Sequence, residues 1–177
     1  MDLKSLAVKY GCDKLYHHSY VPFYEKLFAV MRVRKLLEIG IGYEELMRGL
    51  APKYVHGGSL MMWRDYFPDA LIYGCDVRKD TLFEAESIVT FFCDQSRKDD
   101  LYKMMAKVGT VDVVIDDGSH KMEDQVETFK VLKPFVSSPG VYVVEDVMEP
   151  EKVAEKIGGV VHRFLKGVDD NLVVVRI

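Results

Sequence analysis

The sequence predicts a doubly wound α/β fold: a seven-stranded, mostly parallel sheet with its last strand antiparallel, in one domain led by a helical arm. Three observations carry this. Apolar, β-branched runs alternate with amphipathic helical segments, the rhythm of an α/β protein. Several of those runs end abruptly in carboxylates, and the carboxyl edge is where such sheets bind ligands. The 177 residues, 49% of them apolar, suit one substantial core and leave little room for a second. Residues 1–33 are expected to form the arm, or lid, and residues 34–177 the core.

Charge and cysteine usage narrow the function classes. A net charge of -4 argues against a protein that grips the phosphate backbone of nucleic acid. Cys12, Cys75 and Cys93 are odd in number and widely spaced, a poor fit to a disulfide framework or a zinc knuckle. A reducing, cytoplasmic location is the default expectation. No apolar run reaches transmembrane length, so no membrane role is expected. A homo-oligomer is left open.

Asp2 to Met31 reads as two helices around a polar joint, GCDKLYHHSY. Val21, Tyr24, Leu27, Phe28 and Met31 recur at helical spacing, with Pro22 in a first turn. Lys14 and His18 of the joint are lid candidates, although paired histidines are more often a solvated surface feature. RKLLEIGIGY follows, a first strand that ends in Glu38 and hands over to Gly40 and Gly42. Glycine is wanted there because the backbone must approach a ligand closely. The third glycine of a dinucleotide fingerprint is missing. Glu44 to Gly58 reads as an inserted loop, and Ser59 as the N-cap of a helix whose apolar face is Leu60, Trp63 and Phe67. The free N–H groups of that helix start favour a carboxylate or other anion.

ALIYGCD is the second strand, ending in Asp76, a carboxylate able to accept from both hydroxyls of a ribose. SIVTFFCDQS is the third, ending in Asp94 and Gln95, which can pair with an adenine amino edge. Arg97 to Val108 is a helix, Val111 to Ile115 the fourth strand, and Met122 to Phe135 a helix with Val126, Phe129 and Leu132 inward. GVYVVED is the fifth strand, ending in Glu145 and Asp146. After a short helix, Glu151 to Ile157, the runs VVHRFLK and NLVVVRI are expected to form an antiparallel hairpin about the turn GVDDN.

The fourth strand runs straight into Asp116, Asp117, Gly118, Ser119 and His120. Strands four and five should be neighbours through a right-handed crossover. At a spacing of about 4.8 Å, Asp117, Glu145 and Asp146 can reach one point. Carboxylates so crowded repel, and either one is protonated or a cation holds them. Oxygen ligands at an open edge point to Mg²⁺, Mn²⁺ or Ca²⁺. The plain alternative is that they cap helices or pair with Lys and Arg. His120 lies on the same loop, and an imidazole suits proton removal near neutral pH.

Taken together, LLEIGIG, the Asp76 strand end, DQS, IDDGSHKMEDQ and VVEDV resemble the class I S-adenosylmethionine-dependent methyltransferases. With GCDKLYHHSYVPFYEKLF and GGSLMMWRDYFPDA, the set resembles the macrocin and mycinamicin type of sugar O-methyltransferase. Cys12 stands where that family often has threonine. The resemblance implies a Rossmann-like sheet, S-adenosyl-L-methionine and Mg²⁺ or another divalent cation, and a small carbohydrate-containing acceptor methylated on a hydroxyl. It implies that Glu38, Gly40, Gly42, Ser59, Asp76, Asp94, Gln95 and Asp116 line the cofactor, and that Asp117, Glu145 and Asp146 hold the metal. Asp117 and His120 would then be catalytic, His120 as general base. The competing readings are a catechol-type O-methyltransferase of an aromatic diol, a non-catalytic module binding this cofactor or a nucleotide, and, more weakly, a nicotinamide-dependent oxidoreductase.

Overall fold

The arm opens with Asp2, whose carboxylate accepts the backbone N–H of Ser5 at 2.7 Å and so caps α1 (Leu3–Tyr10). This computed structural model describes residues 1–164, 166 and 169–177. The expected two-helix arm has three pieces, because the polar joint winds one turn, α2 (Asp13–Tyr16), before α3 (Val21–Phe28). Then follow β1 (Lys35–Ile39), α4 (Glu44–Leu50), α5 (Gly58–Tyr66), β2 (Leu71–Asp76), β3 (Glu84–Ala85) and β4 (Ile88–Phe92). The second half holds α6 (Lys98–Val108), β5 (Val111–Asp116), α7 (Met122–Leu132), β6 (Val136–Val144), α8 (Pro150–Ile157), β7 (Val160–Arg163) and β8 (Asn171–Arg176).

Among the described residues the sheet has eight strands, in the order β3-β4-β2-β1-β5-β6-β8-β7. From β4 to β6 all pairings are parallel; β8 runs antiparallel between β6 and β7, as expected of the closing hairpin. The turn GVDDN includes Gly167 and Val168, which with Leu165 lie outside the described residues. The expected count of seven strands is short by β3, a two-residue strand antiparallel to β4. Two residues have no period to read. The expected loop from Glu44 to Gly58 contains α4, which buries only Met47 and therefore shows no apolar stripe. Acidic Glu44 and Glu45 in its first turn and Arg48 in its last support it against the helix dipole. Ser59 is not the N-cap of α5: the helix starts at Gly58, and Gly57, left-handed at φ +64°, takes the cap position.

Strand alternation sends successive side chains to opposite faces. Leu36, Ile72, Val113 and Val143 pack under α1, α3 and α5 around Trp63 and Tyr24. Leu37, Val114, Tyr142 and Val173 pack under α6, α7 and α8 around Met105, Phe129 and Leu132. Among the described residues no helix is long and apolar enough to cross a membrane. The order of strands reverses between β1 and β5, which opens a crevice at their carboxyl ends. Ladder bonds run past the strand ends there: Asp117 N–H donates to Ile39 O at 2.9 Å, and Glu145 N–H to Asp116 O at 2.9 Å.

Gly40 has φ +89°, and a Cβ on it would sit 2.0 Å from the backbone oxygen of Asp117. That obstacle is main chain and cannot swing away. Gly40→Ala is therefore expected to lower unfolding free energy by at least about 2 kcal/mol. Gly49→Ala, in α4 with nothing within 4 Å of the added carbon, should instead gain up to about 1 kcal/mol. Urea denaturation of both variants checks the contrast.

Candidate active site

The turn after β1 is built on Gly40 and Gly42, both at positive φ, and is pinned from β2 by Asp76. Asp76 Oδ2 accepts the N–H groups of Ile41 at 2.9 Å and Gly42 at 3.3 Å, and its Oδ1 accepts that of Arg78 at 2.8 Å. Two cavities adjoin at this turn, of about 390 and 230 Å³, and both are lined by Gly40, Asp76 and Gly118. The larger also reaches Gly42, Ser59, Asp117, His120 and Asp146; the smaller reaches Asp94 and Gln95.

At the lip of the larger cavity, Asp117, His120 and Asp146 each bring one ligand-capable atom within 4.8 Å of the other two. The tips of β5 and β6 thus converge. His120 and Asp146 have φ of +57° and +54°, in a region that L-residues enter at a cost but that His and Asp tolerate better than most. Asp146 is held from the arm: Tyr20 Oη donates to its Oδ1 at 2.6 Å, and His18 Nε2 lies 3.2 Å from its Oδ2. Burial works against ionisation of Asp146, but the His18 and Tyr20 contacts outweigh it and keep its pKa below the ordinary value. Asp117 is pushed up to about 7, by burial above all and by the charges of Asp146 and Asp13, with Lys14 opposing.

Lys14 is the residue whose role the sequence did not disclose. It is wholly buried, and its ammonium donates at 2.7 Å to both Asp117 Oδ2 and Glu145 Oε2. It also lies 3.1 Å from Glu38 Oε1, close enough for an ion pair but outside good hydrogen-bond geometry. Burial opposes its charge, yet Asp117, Glu145 and Glu38 together hold its pKa well above the usual lysine value. The second oxygen of Glu145 accepts the Tyr24 hydroxyl, and that of Glu38 accepts Trp63 Nε1–H at 3.0 Å. Three carboxyl groups share this one ammonium, and burial raises the pKa of Glu145 well above, and that of Glu38 above, the usual carboxylate value.

This geometry has relatives. No family model matches the chain. It is 38% identical over 148 residues to 8-demethyl-8-alpha-L-rhamnosyl tetracenomycin-C 2'-O-methyltransferase of Streptomyces olivaceus, covering 82% of this chain and 37% of that protein. It is 37% identical over 150 residues to demethylmacrocin O-methyltransferase of Streptomyces fradiae, covering 82% and 36%. The MycE methyltransferase of the mycinamycin biosynthetic pathway, solved with Mg, SAH and mycinamycin VI, superposes with a TM-score of 0.79 at 26% identity, over 99% of this chain and 54% of that one.

The chain is a homologue of the macrocin and mycinamicin type of sugar O-methyltransferase. It spans little more than a third of the length of these curated relatives.

Within this homologue the residues expected at the site divide into those that face the crevice and those that lie behind it. Gly40, Gly42, Ser59, Asp76, Asp94, Gln95, Asp117, His120 and Asp146 line the two cavities. Glu38 is wholly buried behind them, on Lys14 and Trp63. Glu145 does not join Asp117 and Asp146 at the shared point; its carboxyl group turns back to Lys14 and Tyr24. Asp116 faces away, accepting Gln95 Nε2–H at 3.0 Å and the Tyr142 hydroxyl at 3.1 Å. Gln95 in turn accepts Ser119 N–H at 2.6 Å, so it braces the loop that carries His120.

Burial raises the pKa of Asp116 to about 6, with the bonds from Gln95 and Tyr142 opposing. A carboxyl whose folded pKa exceeds its unfolded one contributes stability fully below the unfolded value and loses it as pH rises through the folded one. The difference in unfolding free energy between Asp116→Asn and the wild type should therefore move in the variant's favour from about pH 4 to about pH 6, by up to roughly 3 kcal/mol, and level off above. Denaturant melts across that range check it, and a difference independent of pH would contradict it.

Proposed function

We propose that the chain transfers the methyl group of S-adenosyl-L-methionine to a hydroxyl of a sugar-bearing small molecule, assisted by Mg²⁺ or another divalent cation. The observation that carries this is the meeting of Asp117, His120 and Asp146 on the wall of a cavity whose other wall is the Gly40–Gly42 turn. In support, 82% of the chain is 37–38% identical to relatives named for sugar O-methylation.

The residues present fit a cation. Asp117 is pushed up to about 7 by burial and neighbouring carboxylates, so an added positive charge there would be favoured. Asp117 and Asp146 would hold it through hard oxygen donors. Bound there, the ion would lower the pKa of an acceptor hydroxyl and fix its approach.

The chain's own groups supply the rest. The glycine turn lets the backbone come close to the methyl donor, and Asp76 retains about one lone-pair site, on Oδ1, for a ribose hydroxyl beyond the three N–H groups it already accepts. His18 and Tyr20 orient Asp146 from behind, as outer partners of a ligand do. His120 takes the hydroxyl proton on a ring nitrogen as the oxygen attacks the methyl carbon, and the thioether leaves. Positioning carries much of the barrier because the sulfonium is already a good leaving group.

His120→Ala should bind S-adenosylhomocysteine in calorimetry as the wild type does, while turnover falls by about 10²–10⁴-fold. EDTA should abolish turnover and excess Mg²⁺ restore it. Full activity in that variant would remove His120 from the mechanism, and turnover of aromatic diols but not glycosides would reassign the acceptor class.

A further inference from the structure

We propose that Lys14 is a positioning residue, the resident counter-cation of the strand-tip carboxylates: it holds Asp117 and Glu145 in place before a divalent ion arrives and opposes that ion once it is bound. This rests on the reading above that the Asp117 cluster takes a divalent cation. Lys14 comes from α2, a helix of only four residues, and reaches Asp117 and Glu145 across 103 and 131 residues of sequence. Its ammonium is 0% exposed, so water cannot take over its three contacts. An ammonium has three N–H groups and no acceptor, and here every partner within reach is a carboxylate oxygen.

Two consequences follow from one charge. Without any metal, Lys14 is the ion that lets Asp117, Glu145 and Glu38 stay together in a low-dielectric interior, where unpaired carboxylates are strongly destabilising. With a metal, the same ammonium sits 2.7 Å from an oxygen of Asp117 and repels the incoming dication. Removing the ammonium should thus make the fold lean on the metal, and by linkage the metal should bind more tightly. A lysine that merely packs would be missed equally in either condition.

The test compares the wild type with Lys14→Met by thermal melting in EDTA and in excess Mn²⁺, and by Mn²⁺ titration followed by electron paramagnetic resonance. The wild type should melt within a few degrees of the same temperature in both. Lys14→Met should melt roughly 10 °C lower in EDTA, recover most of that loss in Mn²⁺, and bind Mn²⁺ about tenfold more tightly. Should Lys14→Met fail to fold in EDTA, Lys14→Met/Glu38→Gln removes one surplus charge away from the Asp117, His120 and Asp146 cluster and carries the same expectation. Equal melting loss with and without Mn²⁺, or unchanged or weaker Mn²⁺ binding while the wild type binds, overturns the role of Lys14 alone. A wild type that binds no Mn²⁺ overturns the cation reading itself, and the inference with it.

Discussion

Five carboxylates meet where β1, β5 and β6 end: Glu38, Asp116, Asp117, Glu145 and Asp146. Glu38, Asp116 and Glu145 are buried, and a charge taken out of water must find partners or lose its proton. Each is met in its own way. Glu38 has an indole N–H and Lys14, Asp116 a glutamine amide and a tyrosine hydroxyl, and Glu145 Lys14 and a second tyrosine. Asp146 has His18 and Tyr20. Among the described residues Asp117 bonds to Lys14, and it lines the cavity.

The arm therefore bonds directly to the strand-tip carboxylates. Lys14, His18, Tyr20 and Tyr24 all lie between residues 10 and 25, and all point their polar ends at the tips of β5 and β6. The apolar part of this short stretch secures it: Tyr24 and Phe28 pack edge-on against Trp63, and His18 stacks on Tyr20 at 4.7 Å. A second tie comes from the far end of the chain, where Lys166 Nζ donates to the backbone oxygens of Leu15 and His18 at 2.8 Å each. Packing, hydrogen bonding and charge thus agree on one docked position of the joint, the kind of consistency that gives a fold a single minimum.

What could be read from the sequence was local. A β-branched run that stops in carboxylates, and glycines after a strand, announce a parallel strand and its ligand edge without any partner, and Asp76, Asp117 and Asp146, which line one cavity, lie at such ends. Which carboxylate pairs with which cation is a long-range question. Lys14 and Asp117 lie 103 residues apart and only folding brings them together, so the sequence alone groups Glu145 with Asp117 and Asp146 and offers Lys14 only as a lid candidate. The same limit explains β3 and α4: a two-residue strand and a helix with one buried side chain carry no period to detect. The resemblance implies a cofactor role for Asp116, but side chains alternate across a strand, and its face is the one beneath α7.

That alternation has a mechanical use. Asp116 looks into the core under α7 and Asp117 toward the arm, so the loop that follows β5 is gripped on both faces of the sheet. On the first face Gln95 links Asp116 to Ser119, and a Cβ on Gly118 would sit 1.8 Å from Gln95 Oε1, so only glycine fits between them. Beside it, a Cβ on Gly40 would sit 2.0 Å from the backbone oxygen of Asp117. His120 follows at positive φ, a strained conformation that persists only when its surroundings over-determine it. A loop fixed at residues 116, 117 and 119 leaves the next side chain few places to go, and the one it takes is beside Asp117 and Asp146. The placement of the imidazole thus follows from the sheet edge and its two packed faces.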